Sequence, residues 1–100
     1  RLTMDVMVHV TSQDGASIAV PLMRALTRAG AVWGCFVTND GVQLLFDDAF
    51  IDALGGATRS LVCEHSWEKT GQEITECPID RGSQTINSEM MGDATRLVSL

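Results

Sequence analysis

Cys63 is the residue of this sequence whose type and position best fit nucleophilic chemistry. It ends a strand predicted over residues 57–63 (ATRSLVC) and precedes a short polar helix or loop predicted over residues 64–70 (EHSWEKT). The thiolate is the reactive form of cysteine, and a helix N-terminus stabilises it through the helix dipole and unpaired amides. A protonated His65 would add to that stabilisation, whereas the Glu64 carboxylate would oppose it. The same position also suits a buried, inert core cysteine, so both interpretations stay open.

The other two cysteines, Cys35 and Cys77, have weaker claims to chemistry. Cys77 precedes Pro78 and is either a resolving thiol for Cys63 or an ordinary loop cysteine. A disulfide between them would need Cα atoms within about 7 Å of each other. Cys35 lies in the middle of a predicted strand and is expected in the core. An odd number of cysteines leaves a thiol free, which favours a reducing, cytoplasmic location.

Three other kinds of site have little support in the sequence. A metal site would have to use His9, Cys63, His65 and Cys77. This set contains no C-x-x-C pair and matches no standard zinc pattern, so no metal is predicted. A cysteine–histidine hydrolase would need an orienting acid and an oxyanion element, and neither is identifiable. Residues 11–17 (TSQDGAS) lack the Walker lysine and the G-x-G-x-x-G pattern, so no nucleotide cofactor is predicted.

Strand-like and helix-like segments alternate along the chain. Apolar, β-branched runs predict strands at Met4–Val10, 31–38, 57–63, 74–77 and 96–100. Apolar periodicity predicts helices at 16–29, 42–56 and 84–93, the last with Ser83 as its N-cap and with Ile86 and Met90 facing inward. This alternation implies right-handed crossovers and a parallel sheet. We therefore expect an α/β fold over residues 1–100: a single-domain three-layer sandwich with a mostly parallel, about five-stranded sheet flanked by helices.

The first two predicted helices differ in how much apolar surface they carry. The buried stripe of the first is predicted to consist of Ile18, Leu22, Leu26 and Ala29, with Gly30 as the C-cap. The segment 42–56 carries two apolar stripes, which is more than one buried face requires and hints at a subunit interface. Asp47 and Asp48 are candidate N-caps within it, and Gly55-Gly56 should end it.

In parallel sheets, functional groups gather at the carboxyl ends of the strands. Those ends carry residues 11–15, 39–41 and 63–66 here. Asn39 and Asp40 are therefore candidate auxiliary residues for Cys63. Trp67 lies in a polar stretch beside Cys63 and is interpreted either as an interface residue or as a lid over the thiol.

The composition excludes several classes of partner. The chain has 100 residues, of which 45% are hydrophobic and 20% charged, and a net charge of −6. A duplex-binding protein needs a clustered positive surface, so no nucleic-acid partner is expected. There is no apolar stretch of about 18 residues and no recognisable signal peptide, so no membrane association is expected.

The order of these features resembles the DsrE/TusD-like (DsrE/DsrF-like) sulfur-relay family. The similar segments are MDVMVHVTSQDG, PLMRALTRAG, VWGCFVTNDGVQLL, SLVCEHSWEKTG and GSQTINSEMMGDATRLVSL. In that family a reactive cysteine ends the third strand and opens a short helix closed by glycine, and Cys63 matches this position. The resemblance spans nearly the whole chain.

The resemblance implies a sulfur carrier, or sulfurtransferase subunit, in which Cys63 accepts sulfane sulfur as a persulfide and passes it on. It implies sulfur donor and acceptor proteins as partners, no cofactor, and a homo- or hetero-oligomer, either a trimer or a hexamer. Two alternatives stay open: a non-catalytic oligomeric or small-ligand-binding module of the same fold, and a thiol redox sensor using Cys63 and Cys77.

Overall fold

A single five-stranded sheet forms the centre of the protein. The computed structural model describes residues 4–82, 88–89 and 92–100. The strands are β1 (Met4–Val10), β2 (Trp33–Val37), β3 (Arg59–Cys63), β4 (Asp80–Gly82) and β5 (Ala94–Ser99). They lie in the order β4-β3-β2-β1-β5, and every neighbouring pair is parallel. The expected α/β class and the parallel sheet are confirmed.

Helices connect the strands. The α-helices with full bounds in the described part of the chain are α1 (Ala16–Arg28), α2 (Asp48–Leu54) and α3 (Glu64–Glu68). Shorter 3-10 helices span Gln13–Gly15, Asn39–Phe46 and Ile74–Glu76. None of the described helices is both long enough and apolar enough to cross a membrane.

Alternating side chains divide the sheet into two faces with separate apolar clusters. The first face carries Val8, Val10, Cys35, Val37 and Val62, and it packs against α1, α2 and Trp67 of α3. The second face carries Met7, Phe36, Leu61 and Cys63, and Met4 at the start of β1 and Ala94 pack in the same cluster. This alternation explains why the strands are apolar at successive positions: a sheet that is covered on both faces buries both sets of side chains.

Most predicted strands lie where the sequence placed them. β1 has the predicted bounds, and β2, β3 and β5 overlap their predicted segments. The strand predicted at 74–77 is wrong, because Ile74–Glu76 forms a 3-10 helix. The fourth strand is instead β4 (Asp80–Gly82), which the sequence placed in a loop. Its three residues show no apolar pattern that would predict a strand. They form one because they pair with β3 at the edge of the sheet.

The buried stripe of α1 is displaced from its predicted position. Ala19 and Met23 are fully buried, whereas Ile18 is 58% exposed. Leu22 and Leu26 are only partly buried against the first-face core. The helix carries apolar residues around more than half of its circumference, so periodicity alone leaves its rotation undecided, and contact with the sheet selects the Ala19–Met23 side.

Residues 39–54 form two helices rather than the single predicted one. A 3-10 helix ends at Phe46, and α2 begins after Asp47, whose Oδ1 accepts a hydrogen bond from the Ala49 amide at 2.9 Å. The predicted capping role of Asp47 is confirmed. Phe50 and Leu54 are buried in the chain's own core, and Phe46 remains 54% exposed. Most of the apolar surface that hinted at a subunit interface is therefore internal.

Two glycines end helices as the sequence indicated. Gly30 and Gly71 have φ values of 72° and 79°, a conformation that glycine adopts without steric cost. Of the helix predicted over 84–93, the described residues 88–89 and 92–93 are helical. The predicted cap Ser83 and the inward-facing Ile86 and Met90 lie outside the described residues.

Candidate functional site at the carboxyl edge of the sheet

The carboxyl ends of β1, β2 and β3 are joined by side-chain hydrogen bonds. His9 Nε2 and Thr38 Oγ1 are hydrogen-bonded at 3.0 Å, and the Asn39 side-chain amide donates to the same Thr38 oxygen at 3.4 Å. The Asn39 backbone amide donates to Ser66 Oγ at 2.9 Å. This chain of contacts runs from β1 across the end of β2 to the helix that follows Cys63. It fixes the position of α3, which has only five residues.

Cys63 is both the last residue of β3 and the N-cap residue of α3. Its backbone is extended, with φ −62° and ψ 119°, and its side chain makes no capping hydrogen bond. The residue is 8% exposed and packs in the second-face cluster, which includes Phe36 and Leu61. On β4 its register partner is Gly82, so no side chain lies beside it on that strand. The predicted strand-to-helix position of Cys63 is confirmed, and its thiol has an apolar environment.

Two charged groups flank Cys63 on the same edge. Glu64 Oε1 and Arg81 Nη1 are 3.7 Å apart, and both side chains are well exposed. An exposed ion pair of this kind contributes little to stability. His65 is exposed on α3. It follows Cys63 by two residues, a spacing that does not put two side chains on one helix face.

His9 is half-buried in this network. Its ring meets the ring of Phe36 edge-on, with centroids 6.3 Å apart. Burial lowers the pKa of His9 from its ordinary value of 6.5, because removal from water disfavours the imidazolium form. His9 is therefore neutral at physiological pH. One of its ring nitrogens carries a proton and can donate a hydrogen bond, and the other can accept one.

Trp67 is a core residue, which corrects both interpretations made from the sequence. It is 1% exposed and belongs to the first-face cluster, whereas the Cys63 side chain belongs to the second. Its indole Nε1 donates to the Glu73 carbonyl at 3.1 Å, and Phe46 stacks on it with a centroid distance of 5.7 Å. Trp67 is neither an exposed interface residue nor a lid over the thiol.

The three cysteines occupy different environments and are all free thiols. Cys35 is fully buried, and this burial raises its pKa to about 12, so the predicted core role is confirmed. Cys77 is half-buried and packs against the first-face core. It lines a cavity of about 610 Å³ together with Arg59, Glu64 and Arg81. Cys63 and Cys77 thus pack in different clusters and are not bridged.

Asn39 and Asp40 both lie at the edge where the sequence placed them. Asn39 has a φ of 52°, a left-handed conformation that asparagine tolerates better than most side chains. In the described part of the chain, no other non-glycine residue has a positive φ. Asp40 is exposed. Neither residue belongs to the cluster that surrounds Cys63.

The crevice at the topological switch point, between β1 and β5, is filled by the chain itself. The Thr11 amide and hydroxyl both donate to the Leu100 carbonyl, at 2.7 and 3.1 Å. A Cβ placed on Gly15 would lie 3.1 Å from Leu100 Cβ, so the two segments are in close contact. Ligands of parallel sheets usually bind at such a switch point. Here the open part of the carboxyl edge is instead beside β2 and β3.

No protein-family model matches the chain, and no curated protein matches it. The resemblance to the DsrE/TusD-like family therefore stays a prediction made from the sequence.

Within the described residues, no three His, Cys, Asp or Glu side chains are grouped as a metal site requires. Sequence reasoning missed Thr38 and Arg81, and it placed Ser66 at a strand end without giving it a role. Each acquires its role through a contact with a residue far along the chain, and no local pattern signals such contacts. The one available signal was position, because Thr38 and Ser66 both lie within a few residues of predicted strand ends.

Proposed function

We propose that this protein is a sulfur carrier in which Cys63 holds sulfane sulfur as a persulfide. The observation that carries the proposal is the position of Cys63 at the carboxyl end of β3 and at the N-cap of α3, with a side chain that makes no capping hydrogen bond. Reactive cysteines are often found at helix N-termini. The sequence resemblance points to the same residue.

The proposed reaction is a transfer of one sulfur atom in each of two steps. The Cys63 thiolate attacks the outer sulfur of a donor persulfide, and the sulfur–sulfur bond of the donor breaks as the new bond to Sγ forms. The donor leaves as a thiolate, and Cys63 becomes a persulfide. An acceptor thiolate then attacks the outer sulfur and releases the Cys63 thiolate. No net oxidation takes place, so no external oxidant is needed.

The surroundings of Cys63 support this role in two ways. Phe36 and Leu61 keep water away from the inner sulfur, which would protect a persulfide from side reactions. Cys63 also ends β3 at the carboxyl edge of the sheet, where functional groups of parallel sheets gather. His65, Glu64 and Arg81 lie close by in sequence or register and are candidates for contact with donor and acceptor proteins. We also propose that the protein assembles into a trimer or a hexamer.

Mass spectrometry of the intact protein tests this function. The protein is incubated with a low-molecular-weight persulfide donor, and we expect an adduct of about 32 Da, one sulfur atom. Cys63→Ser should lose the adduct, whereas Cys77→Ser should retain it. Absence of the adduct from the unmodified protein would contradict the proposal, and so would its survival in Cys63→Ser.

A non-catalytic module of the same fold is a second candidate, because Cys63 is only 8% exposed. In this case Cys63 is an inert core thiol. Alkylation of the native protein with iodoacetamide, followed by peptide mapping, separates the two candidates. A sulfur carrier should be alkylated at Cys63 much faster than at the fully buried Cys35. Equal resistance of Cys63 and Cys35, with reaction confined to Cys77, would favour the non-catalytic module.

A further inference from the structure

A second cavity, of about 200 Å³, opens at the carboxyl edge beyond β2. Its polar lining consists of Asn39, Asp40, Gln43, Ser66, Lys69 and Thr70, and Val42 is its one apolar lining residue. Neither Cys63 nor Cys77 lines it, so its use does not depend on the proposed sulfur transfer. Its volume is below the range of about 300–1,000 Å³ that is typical of drug-sized ligands. The cavity therefore suits a molecule of a few heavy atoms.

Ser66 places an unsatisfied donor in the wall of this cavity. The residue is 6% exposed, and its Oγ accepts the hydrogen bond from the Asn39 amide. Among the residues that the structure describes, no acceptor takes the hydrogen of its hydroxyl group. Buried hydroxyl groups are normally satisfied, by protein or by a bound molecule. A ligand with an acceptor atom would complete this hydrogen bond.

Asp40 and Lys69 bring opposite charges to the same cavity. Both side chains are exposed, and neither makes an ion pair with another described residue. Lys69 is the sole lysine of the chain. The charges at the cavity sum to zero, which disfavours a simple anion or a simple cation. They suit a molecule that carries a positive and a negative group a few bonds apart.

We infer that this cavity binds a small zwitterion, a free α-amino acid with a short side chain. The ligand carboxylate accepts hydrogen bonds from Lys69 Nζ and the Ser66 hydroxyl, and the ligand ammonium donates to the Asp40 carboxylate. Such charge-assisted hydrogen bonds are stronger than neutral ones. Because Val42 is the one apolar lining residue, the cavity can contact only a short apolar side chain of the ligand.

An NMR titration of the isotope-labelled protein with L-alanine tests the inference. We expect saturable shifts of the Asn39 and Ser66 backbone amide signals. Acetate alone and methylammonium alone should not saturate these shifts over the same concentration range, because each makes only half of the contacts. Lys69→Met and Asp40→Asn should each weaken L-alanine binding by at least about tenfold, the loss expected for one charge-assisted hydrogen bond. Asp48→Asn, an exposed acidic residue outside the cavity, is the matched control and should leave binding unchanged.

Several results would overturn the inference. One is the absence of saturable shifts with L-alanine. Another is equal affinity for acetate and L-alanine, which would make the cavity an anion site. A third is tighter binding of L-alanine by Asp40→Asn, because the proposal requires attraction between Asp40 and the ammonium group. Both variants alter exposed side chains, and unchanged amide spectra away from the cavity would confirm that they fold.

Discussion

The backbone amide of Asn39 donates a hydrogen bond to the hydroxyl oxygen of Ser66 at 2.9 Å. This bond links the second residue after the end of β2 to the third residue of α3, and the two lie 27 positions apart in the chain. It holds Asn39 at the carboxyl edge in its left-handed conformation and fixes the short helix that follows Cys63. Ser66 also lines the cavity of about 200 Å³. Ser66 thus holds Asn39 against α3 and also forms part of the cavity wall.

Ser66→Ala should destabilise the fold by about 1–3 kcal/mol, because it leaves the Asn39 amide without its acceptor in a partly buried position. Urea unfolding, followed by circular dichroism, measures this change. Ser17→Ala is the control, because the Ser17 hydroxyl is exposed and donates only a long 3.5 Å hydrogen bond to Asp14. A loss of stability that is no larger for Ser66→Ala than for Ser17→Ala would show that the Asn39–Ser66 bond contributes little.

His9 should make stability depend on pH in the weakly acidic range. Burial lowers its pKa below 6.5 in the folded state, so the unfolded chain binds this proton more readily. The contribution of His9 is therefore fully present above pH 6.5 and is lost as the pH falls below that value. Urea midpoints at about pH 8 and about pH 5.5 measure the effect.

His9→Gln should reduce that difference between the two pH values, because glutamine does not titrate. The chain has one other histidine, and His65→Gln is the matched control because His65 is exposed. The interpretation fails if His65→Gln removes the pH dependence and His9→Gln leaves it intact.

Asp47→Ala should cost about 1 kcal/mol, the usual contribution of an N-cap side chain. The reason is the hydrogen bond that Asp47 Oδ1 accepts from the Ala49 amide, at the point where the 3-10 helix gives way to α2. Asp48→Ala serves as the comparison, because Asp48 lies in the first turn of α2 and is not its N-cap residue. Thermal unfolding compares the two variants, and an equal loss in both would argue against the cap.

Gly41→Ala should be strongly destabilising, by about 1–3 kcal/mol or more, because the added atom overpacks a closed contact. A Cβ at Gly41 would lie 2.5 Å from the Val10 carbonyl oxygen, which is backbone and cannot rotate away. At Gly55 the nearest atom to a Cβ is 3.2 Å away and the backbone is helical, so Gly55→Ala should have a much smaller effect. If both variants unfold at the same urea concentration, the contact between Gly41 and the end of β1 is loose enough to accept an added methyl group.

The sequence predicted the parts of the fold that local patterns determine. β1, the cap Asp47 and the helix-ending glycines Gly30 and Gly71 depend on side-chain type at adjacent or helically spaced positions. Cys63 was placed correctly because an apolar run meets a polar one at that residue. These features need only short-range information, and the structure contains all of them.

The remaining features depend on partners that are distant in the chain. β4 has three residues, and pairing with β3 makes it a strand. The burial of Trp67 follows from the rotation of a five-residue helix against the first face of the sheet. The polar neighbourhood of Trp67 in the sequence suggested exposure instead. Likewise, no local signal could join Asn39 to Ser66, since both residues are ordinary polar residues until β2 and β3 lie side by side.

The most direct test of the central claim uses a chain whose only thiol is Cys63. In the double variant Cys35→Ala/Cys77→Ser, exposure to a persulfide donor should add about 32 Da to the intact mass, and an acceptor thiol should then remove it. Unchanged amide NMR spectra would confirm that the variant keeps the native fold. A folded double variant that gains no mass under these conditions would contradict the assignment of Cys63 as the sulfur-carrying residue.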